Sequence, residues 1–239
     1  MKTVYQPIIS LETQGIIGME VLIRGDKAPD DIILDAVLSD QIAALDMWVI
    51  ESTIESMAKL NGDKKIFINC HPLTIEKTET LLSKKAFDLY VSNHINIVLE
   101  ITEQMPLDLE KYLYHKDQLK SMNIKLAIDD FGKNNCNFNF LLHTSPDVVK
   151  IDRCITENIY NKEMQEFIKD IKKLSMELSF DIVAEGIENG DEAAIYKELG
   201  IEIGQGWFFS GPVSFDKLKK YIESKTGQRR VENKRSVSI

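Results

Sequence analysis

The residues best able to do chemistry surround one run, Lys125-Leu126-Ala127-Ile128-Asp129-Asp130-Phe131-Gly132, where an apolar stretch ends in two adjacent carboxylates and a turn residue. Neighbouring side chains on a strand point to opposite sides, so Asp129 and Asp130 can serve one ligand only where the strand unravels toward its loop. The competing reading is a helix cap, because an Asp before a turn often satisfies free backbone N–H groups. The company the pair keeps separates the two readings. Polar residues stand near the carboxyl ends of seven successive strand-like runs: Glu20, Asn69, Glu100, Asp129 with Asp130, Lys150, Glu185 and Gln205. If those ends share one rim, five carboxylates crowd together, and each like pair costs about 1 kcal/mol in water and several times that at an effective dielectric near 20. Protons or cations must relieve this, and Lys150 with Arg24 cannot balance five acids. Oxygen donors with Asn69 as a neutral ligand suit hard divalent ions, Mg2+ or Mn2+, and more than one of them. Two such ions sharing a carboxylate clamp the attacking and leaving oxygens of a phosphoester displacement, and a nearby Lys can orient or deprotonate the water.

Positioning such a rim requires a particular set of elements. Thr3 to Ser10 and Ile16 to Ile23 are β-type runs joined by Leu11-Glu12-Thr13-Gln14-Gly15, a hairpin with Gly15 available for positive φ, so the chain opens antiparallel. From Asp30 to about Leu60, Ile33, Val37, Ile42, Leu45, Trp48 and Val49 recur at helical spacing, with Ser39-Asp40 as a break between two helices. Strand-like runs then follow at Lys65 to Asn69, Asn96 to Ile101, Ile124 to Asp129, Asp147 to Ile151, Asp181 to Ala184 and Ile201 to Gly204, separated by mostly helical stretches. With the hairpin these make eight strands. Alternation of β and α with short connections predicts a parallel sheet with right-handed crossovers, and eight strands at this length predict closure into an α/β barrel of the TIM (β/α)8 kind. An open doubly wound sheet is the alternative.

Composition narrows the function. The 239 residues, 44% of them hydrophobic, suffice for one large core. A net charge of −9 argues against a DNA or RNA polymer as partner, since that surface needs a basic stripe. Cys70, Cys136 and Cys154 form neither a disulfide framework nor a thiolate zinc pattern and suit a reducing cytoplasm. His71, His94, His115 and His143 are scattered, which disfavours a histidine zinc site or a Ser-His-Asp triad. No apolar run approaches the roughly 20 residues of a membrane span. The barrel is expected over residues 1–225. Residues 226–239, with Arg229, Arg230, Lys234 and Arg235 among polar neighbours, are expected to be a disordered basic tail.

With these residues laid out, the chain resembles the EAL-domain phosphodiesterases, which hydrolyse the bacterial messenger cyclic di-GMP, and looks like a stand-alone EAL domain. The resemblance is carried, in order, by Tyr5-Gln6-Pro7-Ile8, Glu20-Val21-Leu22-Ile23-Arg24 in place of E-A-L-x-R, Asn69-Cys70-His71-Pro72, and Glu100-Ile101-Thr102-Glu103. Asp129-Asp130-Phe131-Gly132, Lys150-Ile151-Asp152, Glu185-Gly186-Ile187-Glu188 and Gln205-Gly206-Trp207 complete it. It implies a modified barrel whose first strand is antiparallel, a homodimer, and the linear dinucleotide pGpG as product. It further implies Glu20, Asn69, Glu100 and Asp129 as ligands of one metal, and a second metal bridged by Asp129 and held with Asp130 and Glu185. Lys150 would activate the water, Arg24 would contact phosphate, Gln6 would touch a guanine, and Glu188 and Gln205 would position water or ligands. Glu103 would brace the loop after Gly132. That loop departs from the family: T-G-Y-S-S is replaced by Lys133-Asn134-Asn135-Cys136-Asn137, which brings a lysine toward the metals. Gly25 stands where the family usually has Trp, and the segment to Trp48 is short. Two functions therefore compete, an active hydrolase with its ligands and Lys150 intact, and a cyclic di-GMP receptor or protein-binding module slowed by the altered loop.

Overall fold

The computed structural model describes residues 1–60, 65–75, 82–102, 109–133 and 138–222. Its strands are β1 (Lys2–Ser10), β2 (Ile16–Arg24), β3 (Lys65–Asn69), β4 (Asn96–Thr102), β5 (Lys125–Phe131), β6 (Val148–Ile151), β7 (Asp181–Ala184) and β8 (Ile203–Gly204). They close into a barrel in chain order. β1 runs antiparallel to both neighbours, β2 and β8, and every other pairing is parallel. The modified barrel with an antiparallel first strand is thus what the chain forms, and the open sheet is not.

The reason for a barrel lies in two apolar faces per strand. One face, carried by Ile66, Ile68, Leu99, Ile101, Ile128, Val149, Ile151 and Ile182 among others, packs against the helices in the main core. The other gathers Ile8, Phe67, Val98, Ala127, Val148 and Val183 into a separate cluster from six strands, with Ile203 against it. A cluster built by alternate residues of so many strands in a closed sheet is the lumen of the barrel. Strands buried on both faces read as continuous apolar runs, which is why their type was legible from sequence.

The helices are α1 (Pro29–Leu38), α2 (Ile42–Met57), α3 (Pro72–Ile75), α4 (Lys84–Ser92), α5 (Leu109–Ser121), α6 (Phe138–Thr144), α7 (Arg153–Thr156), α8 (Lys162–Leu178) and α9 (Gly190–Glu198), with residues 215–222 also helical. The break expected at Ser39-Asp40 separates α1 from α2, and Asp40 takes a positive φ of 55° there. In the β1–β2 turn the positive φ falls on Gln14 (54°), not on Gly15 as expected. The Ser10 N–H bonds the Gly15 carbonyl and the Gln14 N–H bonds the Ser10 carbonyl, so the turn reverses one residue early. Among the described residues no helix is long and apolar enough to cross a membrane. The expected tail, Glu103 and Asn134 to Asn137 lie outside the described residues.

Candidate active site

Period-two alternation builds the site. Stepping two residues from each lumenal apolar residue toward the carboxyl end of its strand leads from Phe67 to Asn69, Val98 to Glu100, Ala127 to Asp129, Val148 to Lys150, Val183 to Glu185 and Ile203 to Gln205. On β2 the same parity gives Glu20, whose register partner on antiparallel β1 is Gln6. Every strand therefore delivers one polar side chain to the same mouth, the face where barrel enzymes place their active sites. The opposite mouth carries Lys65 and Asp181, joined by a 2.8 Å ion pair. A larger cavity of about 740 Å3 lies near that end, between the turns at 93–96 and 121–123, away from the carboxylates.

Lys150 stands at the centre of the polar mouth. It is fully buried, and its Nζ lies 2.6 Å from Glu100 Oε1, 2.8 Å from Glu185 Oε1, 3.1 Å from Asp129 Oδ1 and 3.6 Å from Glu20 Oε2. Burial alone would lower the pKa of an ammonium, but the summed attraction of Asp129, Glu100, Glu185 and Glu20 outweighs it and holds Lys150 well above the usual lysine value. One cation does not neutralise four acids. Burial, followed by the pull of Lys150 and opposing repulsion from Asp129 and Glu20, leaves Glu185 pushed up to about 8. Burial also drives Glu100 well above the ordinary carboxylate range. Around the rim, Gln205 Nε2 donates to Glu20 Oε2 at 2.6 Å and Asn69 Nδ2 donates to Glu20 Oε1 at 3.3 Å.

Asp130 does not pair with Lys150 and is placed by a different device. Its parity would turn it outward, but it adopts a φ of 58°, and the β5–β6 register shifts between Ile128 and Phe131. The chain thus forms a bulge inside β5, where sequence suggested an unravelled end. Gly132 follows at φ 93°, and the Lys133 N–H closes the turn onto the Asp130 carbonyl at 3.0 Å. Lys133 Nζ then sits 3.2 and 3.1 Å from the two Asp130 carboxylate oxygens.

The remaining expected residues divide. Arg24 lines a cavity of about 270 Å3 with Glu20, Asn69 and Asp46, although its own Nη1 bonds the Ile23 carbonyl. Gln6 is tied through Nε2 to the Ser210 carbonyl at 3.2 Å, on the loop that follows Gln205. Glu188 is not brought to the Lys150 cluster: its carboxylate pairs with Arg153 at 2.8 Å.

Two supporting residues, Asp46 and Thr156, escaped sequence reading, and a third, Gly186, was read there only as part of a motif. Asp46 on α2, 6% exposed, accepts the His71 N–H at 2.9 Å and the Thr74 hydroxyl at 2.6 Å, which fixes the turn just after Asn69. Thr156 donates to the Glu185 carbonyl at 2.5 Å and bonds the Tyr196 hydroxyl at 2.8 Å. Gly186 has φ 70°, and any Cβ there would meet Arg153 at 2.5–2.6 Å, so the residue after Glu185 must be glycine. The only sequence signal for Asp46 was an acid on the apolar face of a helix.

The donor set fits hard cations. Both Glu100 carboxylate oxygens, Asp129 Oδ1, Gln205 Oε1 and Lys150 Nζ are buried without an aligned hydrogen bond, and of the oxygens Glu100 Oε1 and Asp129 Oδ1 lie at ion-pair distance from Lys150. Buried oxygens of this kind ask for a partner that accepts loose angular geometry, as ions do. Among the described residues the acids converge on the Lys150 ammonium; no group of three or more His, Cys, Asp or Glu is already arranged as a metal cage.

Comparison with known proteins agrees with this geometry. Residues 1–212 match the family model described as the EAL domain. A probable cyclic di-GMP phosphodiesterase, PdeD of Escherichia coli K12, is 30% identical over 228 residues, covering 91% of this chain and 42% of that protein. The chain spans less than half the length of the curated relatives PdeD, PdeA and PdeN. A standalone EAL protein from Vibrio cholerae O395, solved with c-di-GMP bound, superposes with a TM-score of 0.78 at 27% identity, covering 90% of this chain and 92% of that one. An EAL domain protein from Listeria monocytogenes EGD-e gives 0.80 at 26% identity and 92% coverage of both. With the antiparallel first strand, the polar mouth and a family match over nearly the whole chain in agreement, this protein belongs to the EAL domain family.

Proposed function

We propose that the chain hydrolyses cyclic di-GMP to the linear dinucleotide pGpG with Mg2+ or Mn2+ bound at the polar mouth. The observation that carries this reading is the set of four carboxylates from four strand ends around a buried lysine, with oxygens left unpaired. Glu20, Asn69, Glu100 and Asp129 would hold one ion, and Asp129, Asp130 and Glu185 a second. Bound divalent ions would polarise the phosphoester and lower the pKa of water.

The chain's own residues then have distinct tasks. Lys150, firmly protonated and immobilised by its neighbours, offers an ammonium to orient the attacking water and to stabilise charge growing on the phosphate oxygens. Gln205 and Asn69 hold the Glu20 carboxylate from both sides, fixing its direction. Arg24, at the edge of the cavity beside Glu20, contacts a phosphate once it exchanges its backbone bond for that anion. Gln6, across the strand pair from Glu20, reads the base edge. Glu188 acts at a distance from the cluster, through Arg153. A homodimer and a cytoplasmic site of action accompany this reading.

A receptor with little turnover is the second reading, favoured by one observation: Lys133 already occupies the Asp130 carboxylate. Incubating the purified chain with cyclic di-GMP and Mg2+ or Mn2+, followed by chromatography, tests both. Conversion to the linear dinucleotide is expected. Tight binding of intact cyclic di-GMP without conversion would replace the hydrolase by the receptor.

A further inference from the structure

We propose that Lys133 is a tethered cation that competes with a divalent ion for Asp130, so that this chain fills its second ion position only when Lys133 is displaced. The inference rests on the metal-dependent reading above. Its basis is geometric. The bulge at Asp130 and the positive φ of Gly132 fold the chain into a tight turn, closed by the Lys133 N–H on the Asp130 carbonyl. That turn sets the lysine side chain against the carboxylate three residues back, which it contacts through both oxygens at 3.1 and 3.2 Å. Asp152 and Asp129 add their attraction to the same ammonium.

An ion using Asp130 must take its oxygens from Lys133 and then tolerate a positive charge close by. The pair is half-exposed, with side-chain exposures of 47% for Lys133 and 29% for Asp130, so the competition is modest and reversible. It weakens an ion; it does not exclude one. The first ion position, built around buried Glu100, meets Lys150 instead, at 2.6 Å, and that contact is the same in every Lys133 variant.

Calorimetric titration of Mn2+ into the nucleotide-free protein, compared with Lys133→Met and Lys133→Arg, tests this without reference to turnover. Lys133→Met should bind a second Mn2+ about tenfold more tightly while the first site is unchanged, and Lys133→Arg should resemble the wild type. Adding Asp130→Asn to Lys133→Met should erase the gain. Superimposable isotherms for all three proteins, or an arginine variant that behaves like the methionine one, overturn the competition and leave the ion sites standing. Absence of Mn2+ uptake by every variant overturns the ion sites themselves and this inference with them.

Discussion

Two lysines face carboxylates at the same mouth, and their surroundings give them opposite weights. Lys150 is buried among Glu20, Glu100, Asp129 and Glu185, with 1% of its side chain exposed. Lys133 meets Asp130 at a comparable distance, with 47% exposed. Water screens the second pair and lets its ends reorganise, so it contributes about 0–1 kcal/mol. In the first, removing the cation strands charge in a medium that cannot solvate it, and the loss is several times larger. Distance alone therefore says little; burial decides whether a lysine at this site is a structural requirement or an adjustable competitor.

The sharpest way to break the comparison is Lys150→Met in the metal-free protein. Stability should fall by about 3–5 kcal/mol, as for a buried charge network that loses one partner. Denaturant melts in a chelator measure it, and adding Mn2+ should recover much of the loss. A melt unchanged in chelator would mean that protons on Glu100 and Glu185 already suffice and that burial does not set the lysine's weight.

Asp129→Asn attacks the acid at the junction of the two regions. Turnover of cyclic di-GMP should drop at least about a hundredfold, because a neutral amide cannot be shared by two cations. Affinity for both ions should fall together in calorimetry. Loss of one ion alone would assign the shared role to another residue.

Asp46 provides an intermediate case, a buried acid held by hydrogen bonds with no cation paired to it among the described residues. Burial pushes its pKa up to about 6, partly offset by the bonds from Thr74 and His71. The folded state therefore binds this proton more tightly than the unfolded chain, whose Asp titrates near 3.9. Stability from this group is greatest below about pH 4 and declines as pH rises to about 6. Subtracting the profile of Asp46→Asn from that of wild type should isolate a decline on the order of 2–3 kcal/mol across that window. A flat difference would show that the Thr74 and His71 bonds fully compensate the burial.

The smallest effect belongs to Lys133→Met on folding stability, expected within about 0.5 kcal/mol of wild type in the absence of metal. A loss approaching that of Lys150→Met would erase the distinction between the two lysines.

Much of this architecture was legible in the chain. The parallel strands are apolar on both faces, so their type and spacing appear as short runs of Val, Ile and Leu bounded by turns. Polar residues interrupting such runs at the end were equally visible, since nothing in a core tolerates Glu100 or Lys150 without a reason. Glu188 was harder: its spacing from Glu185 is plain, but the pairing with Arg153 depends on how α7 lies against the β7 end. Asp46 and Thr156 were missed because a polar residue on a helix or in a short turn looks ordinary until its partners arrive from other segments.

The sequence by itself determined the eight strands, the helical breaks, the acids and the lysine near the strand ends, and the family resemblance. These follow from local periodicity and from residue types that are costly to bury. Only the tertiary structure decided that alternation aims Gln6, Glu20, Asn69, Glu100, Asp129, Lys150, Glu185 and Gln205 into one mouth, and that a bulge diverts Asp130 to Lys133. Closure of the barrel joins residues as distant as Glu20 and Gln205 in a 2.6 Å hydrogen bond. Their burial, charge relief and mutual reach are properties of the closed sheet, because an electrostatic interaction depends on separation in space and on the water left between the groups.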